Sequence, residues 1–111
     1  MDIVVTIPKS EYENDNRETA IYLDNPEEYE QFWTLSKRPV RAEVGDRVYF
    51  VKHGEIESSM RITRIESGEA HCDVTDRNWK GESILYLDDY RKENGKIKVK
   101  GFQGFRYKWW E

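Results

Sequence analysis

The sequence predicts an α+β protein that is mainly β, with about six strands and one main helix. Gly-Asp at residues 45–46 and His-Gly at residues 53–54 enclose an alternating run of β-branched and aromatic residues, as in a β-hairpin. Asn-Gly at residues 94–95 predicts a further hairpin turn. Residues 26–36 combine a helix start signal with an apolar pattern at helical spacing.

The N-terminal residues 2–7 are β-rich and almost continuously apolar, and Pro8 ends the run. A strand without polar alternation is typical of a sheet interior, so we expect this strand near the centre of the sheet. Residues 9–25 are acidic and rich in asparagine, with one short apolar patch. This composition predicts a mobile acidic loop.

Residues 26–36 are predicted to form the main helix. Asn25 is a suitable N-cap, and Pro26 fits the first helical position, where an N–H group would lack a helical partner. Three aromatic side chains at i, i+3 and i+4 would share one face: Tyr29, Phe32 and Trp33. The helix should end before Pro39, because the residue preceding a proline avoids the helical conformation.

The hairpin that follows is expected to lie at the centre of the fold. Successive strand residues point to opposite faces, so Val48 and Phe50 point to one side while Tyr49 and Val51 point to the other. After the turn at residues 53–54, the returning strand again alternates apolar and polar residues. A two-stranded ribbon is marginal alone, and the rest of the chain must cover it.

Later elements are predicted from shorter signals. A turn at residues 66–69 leads into a strand around residues 70–75, and residues 83–86 fit a short strand or a turn of helix. Residues 96–101 alternate lysines with Ile, Val and Gly, and the run to residue 110 continues in β-type residues. The predicted sheet therefore closes with the C-terminal segment.

Size and composition favour one folded domain spanning residues 1–111, because domains commonly have about 100–150 residues. The chain is 36% charged, but its 14% aromatic content argues against disorder. No apolar run approaches the roughly 18 residues of a membrane span. An acidic residue directly after Met1 is unlike a signal peptide. We therefore expect a cytoplasmic protein that does not enter a membrane.

Charge is distributed unevenly along the chain. The net charge is −4, but the first 30 residues carry −7, so residues 31–111 carry +3. The overall negative charge disfavours nucleic acid as a partner, since phosphate binding rewards basic surfaces. The excess of basic residues in residues 31–111 is nevertheless compatible with nucleic acid as a partner.

Residues 96–110 form the segment that most resembles a binding surface. They contain five basic residues and no acid, interleaved with five aromatic residues. Bases of single-stranded nucleic acid stack on aromatic rings, each contributing about 1–3 kcal/mol, while basic groups contact phosphates. Alternating lysines also protect a sheet edge from aggregation, so a plain edge strand fits equally well. Gly101 and Gly104 indicate a bulge or a close backbone approach.

The sequence predicts no catalytic residue, metal site or cofactor. Cys72 is the single cysteine, and the two histidines have no metal-ligand spacing. Ser58 and Ser59 offer hydroxyl groups, but no His and acid pattern accompanies them. There is no glycine-rich phosphate loop. A basic cluster that includes Lys37 and Arg38 fits either ligand binding or favourable cations at a helix C-terminus.

The pattern Val-Gly-Asp-Arg-Val-Tyr-Phe-Val at residues 44–51, with the returning strand to residue 65, resembles the PUA-like superfamily, which includes the PUA, ASCH and EVE domains. The order of an early strand, a helix, the hairpin and a closing strand near Phe105 is also similar. The resemblance implies a small curved β-barrel of about five or six strands. It also implies recognition of RNA or a modified base in a cleft beside the barrel. Enzymatic ASCH members have an early Gly-x-Lys-Thr motif, and residues 11–23 contain neither Gly nor Lys.

We therefore expect a module that binds RNA, another single-stranded nucleic acid or a modified nucleobase, as a monomer or weak homodimer. The candidate binding residues combine aromatic, basic and hydroxyl side chains: Trp33, Lys37, Arg38, Tyr49, Lys52, Ser58, Trp79, Phe105, Arg106 and Lys108. Two alternatives remain open. One is a small ASCH-type hydrolase or ribonuclease that acts on a modified nucleoside or RNA, with Lys52 as general base near Ser58 or Ser59. The other is an adaptor that binds a protein through its aromatic C-terminus, where Trp109 and Trp110 otherwise cap the barrel.

Overall fold

The computed structural model describes residues 1–27, 31–72 and 77–110. A short 3-10 helix, Lys9–Glu11, leads directly into the α-helix. The other elements, in chain order, are β1 (Ile3–Thr6), α1 (Tyr12–Asp24), β2 (Gln31–Leu35), β3 (Arg47–Lys52), β4 (Glu55–Cys72), β5 (Arg77–Lys92) and β6 (Phe105–Tyr107). The fold is therefore α+β and mostly sheet, with one α-helix in the described ranges.

The strands form one open sheet with the order β2-β5-β4-β3-β1-β6. β1 pairs with β3 in parallel, and the other neighbours are antiparallel. The predicted closed barrel is wrong, because β2 and β6 lie at opposite edges and do not pair. With about 4.8 Å between neighbouring strands, these edges are roughly 24 Å apart along the sheet. Curvature like that of PUA domains stays a prediction.

One face of the sheet is covered by α1. Tyr22 of the helix belongs to the main buried cluster, and Tyr12 packs against it. The sheet contributes alternate residues of each strand to this cluster, among them Ile3, Phe50 and Leu85. Most of the buried apolar side chains therefore lie between α1 and the sheet.

The opposite face is covered by the C-terminal segment instead of a helix. A smaller buried cluster joins Val4, Val51, Ile56 and Val99. Partly buried side chains of the same segment pack against it: Ile97, Phe102 and Trp110. The centre of the sheet is thus buried on both sides, as the apolar run of β1 predicts.

The central hairpin is confirmed. β3 and β4 pair antiparallel, and His53 and Gly54 form the turn with φ values of 57° and 75°. Positive φ at both turn residues is the type I′ geometry that matches the twist of hairpin strands. The predicted turn at residues 66–69 is wrong. β4 continues through it with a register shift between Glu66 and Gly68, whose φ of 112° suits glycine.

The predicted helix at residues 26–36 is wrong in its described part. Residues 31–35 form β2, which pairs with β5, while Tyr29 lies outside the described residues. The predicted acidic loop at residues 9–25 contains α1 instead. The signal was misassigned because Pro26 ends a helix here: the residue before a proline leaves the helical region, and α1 stops at Asp24. Residues 73–75 of the strand predicted around residues 70–75 also lie outside the described residues.

Replacing Leu85 by alanine should destabilise the fold by about 2–5 kcal/mol, the usual cost of a large-to-small change in a core. Leu85 is fully buried on β5, between β2 and β4. Leu23, on the exposed side of α1, is 54% exposed and is the matched control. Its alanine variant should change the free energy of unfolding by less than about 0.5 kcal/mol. Urea denaturation followed by circular dichroism measures both, and equal losses would contradict the assigned burial.

Candidate functional site

The C-terminal segment is fixed to the sheet by backbone hydrogen bonds. The Val99 amide donates to the Gly54 carbonyl at 3.0 Å, and the Phe102 amide donates to the Thr6 hydroxyl at 3.1 Å. The Lys108 amide donates to the Asp2 carbonyl at 3.0 Å. These bonds hold residues 97–110 across the face that α1 does not cover.

Aromatic and basic side chains meet on this face. The Tyr49 and Trp110 rings are 5.0 Å apart between centroids and nearly perpendicular. The Lys108 ammonium lies 5.1 Å from the Tyr49 centroid and 5.4 Å from that of Trp110. We call this surface the aromatic face, formed by Tyr49, Phe102, Arg106, Lys108, Trp109 and Trp110.

The other members of the aromatic face extend it on both sides. The Arg106 guanidinium lies 4.4 Å from the centroid of the Phe102 ring. Trp109 is 50% exposed, and its ring centroid is 5.2 Å from that of Trp110. Large exposed indole surface beside cations is costly to leave in water and is typical of a contact site.

A small pocket opens beside the aromatic face. Its volume is about 180 Å³, and it is lined by Tyr49, Ile56, Glu93, Asn94, Ile97 and Trp110. Pockets for drug-sized ligands usually reach about 300 Å³ or more. The pocket is therefore large enough for one planar ring system and too small for a whole nucleotide.

A hydrogen-bond chain holds the one charged group of the pocket lining. The Arg47 Nε donates to the Ser59 hydroxyl at 3.0 Å, and this fully buried hydroxyl donates to Glu93 Oε1 at 2.7 Å. Arg47 Nη1 also donates to Asp89 at 2.9 Å. That hydrogen bond holds the pKa of the Asp89 carboxyl below its ordinary value. Glu93 is thus fixed in place before any ligand arrives.

Lys52 and Ser58 lie on the other side of the sheet, under α1. Lys52 is only 2% exposed, and its ammonium donates to Asp15 at 2.8 Å and also to Asn16. Ser58 is buried beside Tyr90, whose pKa is raised by burial, while the hydrogen bond with Ser58 offsets part of this shift. Two of the three residues of the alternative hydrolase site, Lys52 and Ser58, therefore make buried contacts away from the aromatic face.

The structure brings together only part of the predicted binding set. Tyr49, Arg106 and Lys108 share the aromatic face. Trp33 and Phe105 pack against the core on the helix side, from opposite edges of the sheet. Three other candidates lie elsewhere: exposed Lys37 and Arg38 after β2, and half-buried Trp79 on β5 opposite Ala70.

Sequence reasoning did not select Arg47, Glu93 or Ile97 for the site, and it considered Trp110 only as a barrel cap or a protein contact. Strand alternation places Arg47 on the same face as Tyr49, so the pattern contained that signal. The position of Glu93 depends on the pairing of β4 with β5, which contains three register shifts. No local sequence pattern encodes those shifts.

No group of His, Cys, Asp or Glu in the described part of the chain is arranged to hold a metal ion. Nor do residues 1–27, 31–72 and 77–110 include a helix long and apolar enough to span a membrane. Comparison with protein-family models, with curated proteins and with solved structures finds no match for this chain. Any functional conclusion must come from the geometry of the site.

Removing Asp15 should destabilise the fold more than removing Lys52. Asp15→Ala leaves a buried cation without its counter-charge, which typically costs about 3–5 kcal/mol. Lys52→Met should cost clearly less, because the buried charge disappears and the 30% exposed Asp15 side chain stays solvated. Urea denaturation measures both, with exposed Glu13→Ala on the same helix as control. A larger loss in Lys52→Met would contradict this assignment.

The Arg47 and Asp89 pair should stabilise the fold at neutral pH and lose that effect in acid. The folded-state pKa of Asp89 is lowered by Arg47, so its contribution is present above the unfolded-state value of about 3.9. The contribution disappears as pH falls through the folded-state pKa. Asp89→Asn, which tolerates the positive φ of 50°, should therefore be less stable than wild type near neutral pH.

The check is urea denaturation of both proteins across pH. The stability gap between wild type and Asp89→Asn should narrow below about pH 4. A gap that stays constant through this range would show that the ionised carboxylate contributes nothing. Asp88→Asn, which loses a separate pair with Arg61, is a control for the general effect of removing one charge.

Proposed function

We propose that this protein binds single-stranded RNA or DNA through the aromatic face, with one base entering the adjoining pocket. The observation that carries the proposal is the position of the Lys108 ammonium against the rings of both Tyr49 and Trp110. Nonspecific single-strand binding needs stacking platforms next to cations that track the backbone. Rings and cation are here within a few ångströms of each other.

The distribution of charge supports the same face. Residues 96–110, which supply most of the aromatic face, include five basic residues and no acid. Lys98 is paired with Glu55, whereas Arg106 is exposed. α1, which has four acidic residues and one basic residue, covers the opposite face. A polyanion approaching this protein would be attracted to one side of the sheet and repelled from the other.

The expected affinity is modest. Two stacked bases contribute about 1–3 kcal/mol each, and few cations are placed for phosphate contact. Dissociation constants from about micromolar to millimolar follow. The resemblance to PUA-like domains also favours recognition of RNA or a nucleobase. Binding of a free modified nucleoside remains a narrower form of the same proposal, because the pocket accommodates a single ring system.

Changing Arg106 and Lys108 together to alanine should weaken binding of a short oligonucleotide and reduce its salt dependence. Each phosphate contact to a single strand contributes about 0.7 to the slope of log affinity against log salt, so the slope should fall by about 1.4. Fluorescence anisotropy of labelled RNA and DNA oligomers at several salt concentrations measures this change.

Lys37→Ala with Arg38→Ala is the matched control. It removes the same charge from exposed residues that follow β2, away from the aromatic face. Wild-type slope and affinity in this control, with loss in the Arg106 and Lys108 variant, would support the aromatic face. Equal losses in both variants would indicate a general charge effect. Unchanged binding after loss of Arg106 and Lys108 would refute their role.

A further inference from the structure

A carboxylate in the pocket is unexpected for a surface that binds phosphates. Glu93 lines the pocket together with Tyr49 and Trp110. A carboxylate repels phosphate and accepts hydrogen bonds, so its partner in the pocket must carry N–H or O–H donors. The pocket therefore suits the donor edge of a base, while the nearby cations suit the backbone.

Hydrogen bonds hold the Glu93 side chain in a fixed orientation. Its Oε1 accepts the bond from buried Ser59, which Arg47 fixes in turn, and its amide donates to the Glu57 carbonyl at 2.8 Å. A recognition group held by supporting hydrogen bonds keeps its orientation without ligand. The aliphatic side chains of Ile56 and Ile97 and the rings of Tyr49 and Trp110 line a space for a flat ligand beside it.

We infer that the pocket selects guanine, a conclusion that rests on the proposed binding of single-stranded nucleic acid. Guanine presents a ring N–H and an amino group side by side, and a carboxylate can accept two parallel N–H bonds. Adenine and cytosine place a ring acceptor next to their amino group. Uracil and thymine flank their N–H with two carbonyl oxygens. With each of these bases, at least one carboxylate oxygen would face another hydrogen-bond acceptor.

The experiment compares oligomers that differ in one base. Labelled oligouridine, the same oligomer with one central guanine, and a version with inosine there have equal phosphate charge. Wild type should bind the guanine oligomer roughly tenfold more tightly than oligouridine, within the usual range for a bidentate base contact. Inosine lacks the amino group and should lie between them. This comparison uses wild-type protein, so it does not depend on the folding of a variant.

Glu93→Gln should remove the preference for guanine and leave binding of oligouridine unchanged or stronger, because a negative charge is lost. Asp88→Asn is the matched control, since Asp88 lies on β5, which Glu93 directly follows, and its carboxylate pairs with Arg61 outside the pocket. It should keep the guanine preference. Loss of preference in both variants would overturn the assignment to Glu93. Circular dichroism confirms folding of each variant.

The outcomes separate the two proposals. Salt-dependent binding with equal affinity for the guanine and uridine oligomers overturns the guanine pocket and leaves the proposed function intact. If no oligomer binds, calorimetric titration with GMP and IMP decides. Binding of GMP with weaker binding of IMP supports the pocket and overturns the nucleic-acid function. Absence of binding by oligomers and nucleotides overturns both.

Discussion

Burial of β1 on both of its faces is the constraint on which the rest of this structure depends. Ile3, Val4 and Val5 are fully buried, although consecutive strand residues point to opposite sides. A strand of this kind requires a cover on each face of the sheet. The chain supplies α1 on one side and residues 96–110 on the other. α1 is acidic and residues 96–110 are basic, so the protein is polarised across the sheet.

The two covers differ in what they leave exposed. A helix satisfies its own backbone hydrogen bonds, so α1 needs only side-chain packing against the sheet. The C-terminal segment has little regular structure, and its backbone bonds to Gly54, Thr6 and Asp2 instead. Its aromatic side chains therefore pack partly on the sheet and partly on each other. The pocket beside Tyr49 and Trp110 lies at this irregular junction.

The sequence predicts elements well where local signals agree with tertiary pairing. The β3–β4 hairpin followed from its turn residues, and the interior position of β1 followed from its apolar run. The helix was misplaced because Asn25 and Pro26 fit a helix start as well as a helix end. The absence of Gly and Pro from residues 9–25 favoured a helix there. Phe32 and Trp33 fit a strand equally well, and only pairing with β5 decides between the two.

The candidate site divides in the same way. Arg106 and Lys108 were found because a run of basic residues interleaved with aromatic residues is a local property of the sequence. The network of Arg47, Ser59 and Glu93 joins β3, β4 and the chain after β5. Register shifts in the β4–β5 pairing determine which residues of these strands face each other. Local patterns therefore predicted Arg106 and Lys108 at the edge of the site, but they did not predict Glu93 in its pocket.

A base that stacks on the aromatic face must first displace the Lys108 ammonium. This ammonium lies against the rings of Tyr49 and Trp110, where a base would have to stack. An exposed cation–π contact contributes about 0.5–1 kcal/mol, whereas a stacked base contributes about 1–3 kcal/mol. Exchange of the ammonium for a base is therefore favourable, and the displaced lysine becomes available for a phosphate. Without ligand, the same lysine covers aromatic surface that water would otherwise contact.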